Sequence, residues 1–275
     1  MVLGAMISIQ TGAAVATGLF DEIGSLGVVF IRALASGLLL AALWRPGLRD
    51  LKEDRGLTLL FGLALGGMNL CFYEAIDRVH LGTAVTLEFI GPLAVALATS
   101  HRRRDWIWAA MGFAGVVLLG GGVGSEGLDP LGVLFSFAAG GFWGWYILLG
   151  RRVGQASSGG KGLAVAMLFS AVITAPFGVA SGGVDLVRPE ILAFGLVIGL
   201  LGSALPFSLE LEAMRRVRSN VFGVLMSLEP AVATVVGFVL LSQAIGAVQA
   251  VAILLVVAAS AGALYTGRGP APIEP

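Results

Sequence analysis

The chain has 275 residues, 57% of them hydrophobic and 12% charged, with 17 basic and 17 acidic side chains and a mean hydropathy of +0.94. Ordinary soluble domains carry about 25% charged residues, so this composition excludes one and points to an all-α polytopic membrane protein. Zero net charge offers no footprint for a nucleic-acid partner, and the lone Cys71 excludes an internal disulfide.

Apolar blocks long enough to cross a bilayer as helices predict ten spans. The first, residues 2–20, carries Gln10; it has no basic leader and precedes further spans, so it reads as a helix rather than a cleaved signal. The second, 27–44, contains Arg32, and the third, 57–76, sets Asn69 and Tyr73 four residues apart on one helix face. The fourth, 81–99, holds Glu88 ~10 Å deep, one turn before Pro92. The fifth, 106–122, is apolar, and the sixth, 130–149, brings Trp143 and Tyr146 onto one face. After the seventh, 161–180, the eighth, 190–213, aligns Ser203, Phe207 and Glu210 around Pro206. The ninth, 219–241, places Glu229 beside Pro230 at ~15 Å, close to midplane, and the tenth is 245–266. The tail, 267–275, is Pro/Gly-rich and is expected to be disordered.

Arginine and lysine set the orientation. With the N-terminus in the cytoplasm, the inner loops and tail hold fourteen of the 17 basic residues, the outer loops hold Arg78 and Arg188, and Arg32 lies within a span. The positive-inside rule then places both termini in the cytoplasm.

The segments EAIDRV (74–79) and EAMRRV (212–217) each close one span and open the next, at an offset of 212 − 74 = 138. The same offset carries Pro92 onto Pro230, since 230 − 92 = 138. The chain therefore divides into two five-helix repeats, 1–122 and 130–266, and an odd helix count inverts the second in the membrane. Inverted repeats are a signature of secondary transporters, whose binding sites lie near midplane where the halves meet.

The stretches SIQTGAAVATGLF, GGMNLCFYEAI, GTAVTLEFIGPLAVAL, FWGWYILLGRR, LGSALPFSLELEAM and FGVLMSLEPAVATVVGF span both halves. Together they resemble the EamA-type branch of the drug/metabolite transporter superfamily, and within it the threonine/homoserine exporter group. That resemblance implies ten helices in the inner (plasma) membrane, efflux of an amino acid or related metabolite, and proton coupling. Two positions depart from the family pattern. Ser242-Gln243 stands where a Gly-Glu pair is common, and Thr17 stands where relatives carry lysine.

An ionisable group within a span costs several kcal/mol by insertion scales, which makes it a functional candidate. Glu74 with Arg78, and Glu212 with Arg216, have the i,i+4 spacing of ordinary helix-end ion pairs. Glu88 and Glu229 have no basic neighbour within one turn and do not align in the repeat, because they map to Met226 and Gly91. Two readings stand for them: proton and substrate binding, or a protonated carboxyl clasping two helices. Pro92, Pro206 and Pro230 each free a backbone carbonyl one turn back, which lipid tolerates only beside protein or a wet cavity. Glu210 lies near the cytoplasmic end and leaves two readings open, a functional acid or a side chain snorkelling to the interface.

Gln10, Asn69, Tyr73 and Ser203 have groups that could hydrogen-bond an amino acid, while Trp143 and Tyr146 could wall its site; interhelical bonding and core filling are the alternatives. The motifs GLALG, GGFWG and GLVIG read as close-packing seams. No metal-ligand spacing, nucleophile elbow or phosphate loop is found, so neither an enzyme, a metal nor a cofactor is expected.

The expected protein is an exporter of small neutral amino acids with its cavity lined from the first, third, fourth, sixth, eighth and ninth spans. Its partners are then the amino acid, protons and the bilayer, with Glu229 and Glu88 as proton-coupling candidates. Export of aromatic amino acids or another metabolite, and a passive facilitator or channel, are the rival readings.

Overall fold

The computed structural model describes residues 1–47, 55–98, 106–121, 128–156, 160–216 and 226–266, and every regular element among them is helical. In chain order the first six helices are α1 (Val2–Thr17), α2 (Phe20–Trp44), α3 (Arg55–Ile76), α4 (Leu81–Glu88), α5 (Ile90–Ala98) and α6 (Trp106–Gly121). They are followed by α7 (Pro130–Ala156), α8 (Lys161–Gly182), α9 (Pro189–Gly199), α10 (Leu205–Arg216), α11 (Glu229–Leu241) and α12 (Ala247–Thr266). A 3-10 turn, Gly183–Val187, leads into α9, and a π-helical turn, Leu200–Ala204, joins α9 to α10.

Five segments are long and apolar enough to cross a bilayer: Phe20–Trp44, Arg55–Ile76, Pro130–Gly150, Lys161–Val187 and Pro189–Glu210. Shorter apolar helices accompany them. Large apolar side chains such as Leu43, Phe113, Val172, Phe177 and Phe238 point outward, an arrangement unfavourable in water and natural against lipid. This is a multi-span membrane protein.

Where helices break, the sequence supplies the cause. Residues 20–26 were expected outside the second span, yet α2 begins at Phe20. The helix bends at Gly24, whose φ of 70° and ψ of 162° suit only a residue without a Cβ. At its other end α2 stops at Arg45, in left-handed geometry, immediately before Pro46. The fourth expected span divides at Phe89 into α4 and α5, because Pro92 has no N–H for the Glu88 carbonyl. The eighth divides at the π turn just ahead of Pro206. Pro230 stands in the first turn of α11, where a missing donor is harmless, and residues 219–225 of that expected span lie outside the described residues. The 267–275 tail lies outside them as well.

Helix α2 lies along α8, α3 packs on α7 and α8, and α6 pairs with α12. Helix α1 meets α10, α11 and the π turn, while α4 meets α7 and α11. Glycines let these backbones touch, as the small-residue motifs suggest. A Cβ on Gly62 would stand 2.7 Å from the Ala166 carbonyl oxygen, and one on Gly140 would stand 2.5 Å from that of Glu88. Two large apolar clusters dominate the core among the described residues, one containing Tyr73, Leu81 and Ile191, the other Phe89, Trp143 and Phe207.

Candidate functional site

Between α1, α2, α3, α4, α7, α10 and the start of α11 lies a cavity with a polar lining. Its walls draw on both apolar clusters: Ala13 comes from the first, and Trp143, Phe207 and Met226 from the second. Three carboxyls, Glu88, Glu210 and Glu229, and one guanidinium, Arg32, face this space. All four side chains are buried. So many ionisable groups in an apolar bundle require either mutual neutralisation, protons or a ligand.

Glu229 opens α11 and is 4% exposed. Gln10 Nε2, reaching across from α1, donates to Glu229 Oε1 at 3.1 Å. Among the described residues, Glu229 Oε2 and Gln10 Oε1 are buried and unpartnered. Leaving such oxygens without donors costs about 1–3 kcal/mol each, a cost that a bound ammonium or proton would remove. Glu88 ends α4, where Gly140 of α7 packs on its freed carbonyl. Phe207 and Glu210 share a face of α10 and both line the cavity. Of the two readings of Glu210, the interfacial one does not hold: the side chain is 6% exposed and lines the cavity from α10.

Trp143 and Tyr146 wall the cavity from α7. Trp143 meets Phe89 edge-on with ring centres 5.1 Å apart, and Tyr146 stacks on Phe61 at 5.0 Å. Asn69 also lines the space, with its Nδ2 donating to the Leu65 carbonyl at 2.7 Å. Six of the expected binding residues thus converge: Gln10, Asn69, Glu88, Trp143, Tyr146 and Glu229. Tyr73 and Ser203 stand behind the lining and hold Arg32 instead. The Arg32 Cζ lies 5.2 Å from the Tyr73 ring centre, and its Nε donates to Ser203 Oγ at 2.9 Å.

Arg32 is the functional candidate that sequence reasoning missed. Its charge entered the orientation count, whereas its position inside a span was itself the signal. Pro206 removes the N–H that would have bonded the Gly202 carbonyl, and an Arg32 Nη donates to that oxygen. Ser8 Oγ donates to the neighbouring Leu201 carbonyl at 2.6 Å. The broken turn is therefore satisfied from α1 and α2. A Cβ on Gly12 would stand 2.7 Å from the Gly202 Cα, so these backbones also touch.

At Glu74 the expectation of ordinary pairing holds. Arg78 Nη1 lies 2.8 Å from Glu74 Oε2, and Ser25 Oγ donates to Glu74 Oε1. The Arg216 side chain, expected to pair with Glu212, lies outside the described residues.

A bundle of apolar spans around a buried, charged cavity, with interrupted helices at its edge, has the architecture of a membrane transporter. The sequence profile of the EamA-like transporter family matches residues 1–121 and 130–265, so the chain belongs to that family. Among curated proteins, the threonine/homoserine exporter RhtA of Salmonella typhimurium (strain LT2) is 42% identical over 270 residues, covering 98% of this chain and 91% of that one. The threonine/homoserine exporter RhtA of Escherichia coli (strain K12) is 40% identical over 276 residues, covering 100% and 93%. A solved crystal structure has a TM-score of 0.69 over 97% of both chains; at 20% identity it shares the fold alone.

Proposed function

We propose that the protein exports small neutral amino acids of the threonine/homoserine type across the inner membrane in exchange for protons. The single observation that carries this is the buried cavity with three carboxyls and one guanidinium, in a chain about two-fifths identical to named threonine/homoserine exporters. Glu229 binds either a proton or the substrate ammonium, and that competition couples the two fluxes. Glu88 supplies a second acid beside the α4–α5 break, and Gln10, Asn69, Trp143 and Tyr146 shape the space around the substrate.

Alternating access between two inverted five-helix repeats, 1–122 and 130–266, completes the proposal, with ten spans and both termini cytoplasmic. The pattern of helix contacts supports the repeat. Under the 138-residue offset α2 corresponds to α8 and α6 to α12, and each pair is in contact. The contact of α1 with α11 likewise corresponds to that of α7 with α5. Cavity residues also fall into equivalent pairs: 88 and 226, 69 and 207, 72 and 210. Each pair joins one polar residue, Glu88, Asn69 or Glu210, to one apolar residue, Met226, Phe207 or Phe72. The space thus sits about the proposed symmetry axis while its chemistry is asymmetric, as directional binding of a small polar molecule requires.

The aromatic walls favour a second substrate class, aromatic amino acids, over unrelated metabolites. A substrate screen in proteoliposomes, with and without an imposed pH gradient, tests both. Saturable, gradient-driven movement of threonine or homoserine supports the proposal; preference for phenylalanine or tryptophan favours the second class. Flux that neither saturates nor responds to the gradient would identify a passive pathway.

A further inference from the structure

We propose that Arg32 is the carboxylate anchor of the cavity, so that the transported molecule must carry a free carboxylate as well as an amine. This deepens the export reading and rests on it. The guanidinium presents five N–H donors. Among the described residues, Nε serves Ser203 Oγ and one Nη serves the Gly202 carbonyl, both neutral acceptors. No described carboxylate forms an ion pair with it, although Glu88 lines the same cavity. Arg32 is nevertheless 3% exposed, with Tyr73 over one face.

Repairing the break before Pro206 needs one donor and no charge. Three further donors are left over at the cavity wall, and the positive charge, felt by Glu88 in the same cavity, has no ion-pair partner within 4.0 Å among the described residues. A buried cation of this kind is strongly stabilised by an anion, and the planar guanidinium fork matches a carboxylate. Under the repeat offset Arg32 corresponds to Ser170, since 170 − 32 = 138, so this charge belongs to one half only. With Glu229 reaching the same cavity from α11, a molecule can present its carboxylate to α2 and its ammonium to α11 at once. Both groups of an α-amino acid are then read, and a simple amine is not.

The test compares threonine, threoninamide and 1-amino-2-propanol as competitors of radiolabelled threonine, first on wild-type protein in proteoliposomes. Threonine should compete at about ten- to hundredfold lower concentration than either carboxylate-free analogue, the range of a charge-assisted contact. R32Q keeps an amide donor for Gly202 and loses the charge. Its affinity for threonine, followed also by fluorescence of the cavity's Trp143, should fall to that for threoninamide. Equal competition by threonine and threoninamide on wild-type protein would overturn the anchor, as would a folded R32Q that retains the preference. Should R32Q fail to fold, the wild-type series decides alone. Wild-type protein that moves no amino acid would instead remove the export reading, and the anchor with it.

Discussion

Glu74 and Glu210 are both carboxylates near the end of an apolar stretch, yet their surroundings differ. Glu74 has Arg78 at 2.8 Å and the Ser25 hydroxyl, on a partly exposed helix end. Glu210 lines the cavity with Glu88 and Glu229. We propose that this third buried acid also takes part in proton transfer, so Glu210→Gln should lower gradient-driven export by about tenfold or more, with little change in melting temperature. Glu74→Gln should leave export near wild type and cost about 1 kcal/mol or less of stability, as for other partly exposed pairs. Parallel transport and thermal-unfolding assays separate the two, and a reversed pattern would exchange their roles. Intramembrane charge was legible residue by residue, which is why Glu88 and Glu229 stand out in the sequence. The role of Arg32 was not, because its acceptor lies 170 residues away on a turn whose geometry depends on Pro206.

Among the elements, the turn between α11 and α12 makes the clearest case. Ser242 adopts a left-handed conformation, φ 54° and ψ 29°, which a glycine in the common family pair would accept without strain. Gln243 then folds back so that its Oε1 accepts the Leu81 N–H at 3.0 Å, holding the start of α4. Ser242→Gly should stabilise the protein by about 1 kcal/mol, the left-handed penalty less the added freedom of the unfolded chain. Gln243→Ala should destabilise it by about 1 kcal/mol through the orphaned Leu81 N–H. Thermal unfolding in detergent measures both, and a destabilised Ser242→Gly would contradict the strain. The departure from the family pair was visible in the sequence, but the tie to α4 was not, since it joins segments 162 residues apart. Helix breaks were half legible. Prolines 92 and 206 announced them, whereas the bend at Gly24 depends on a backbone angle that apolar periodicity cannot reveal.

For the whole molecule, composition alone was enough for a helical membrane bundle, and the EamA-like family followed from motifs in both halves. The cavity was legible as a set of polar spans, six of which contribute lining; α2 joins them through Arg32. The proposed orientation is tested by single cysteines in a Cys71→Ala background. A cysteine at Ser125 should label only from outside the cell and one at Ser157 only from inside, because basic residues cluster in the loops on the Ser157 side. Labelling of position 157 from outside would reverse the topology. Coupling of export to protons through Glu229 is decided by a comparison of two proteins under one gradient. In proteoliposomes acidic inside, wild-type protein should accumulate threonine as protons leave. Glu229→Gln, which keeps the side chain's size but cannot exchange a proton and holds an ammonium less tightly, should lose that accumulation while retaining slow threonine-for-threonine exchange. Gradient-driven accumulation by Glu229→Gln at the wild-type rate and extent would contradict that coupling.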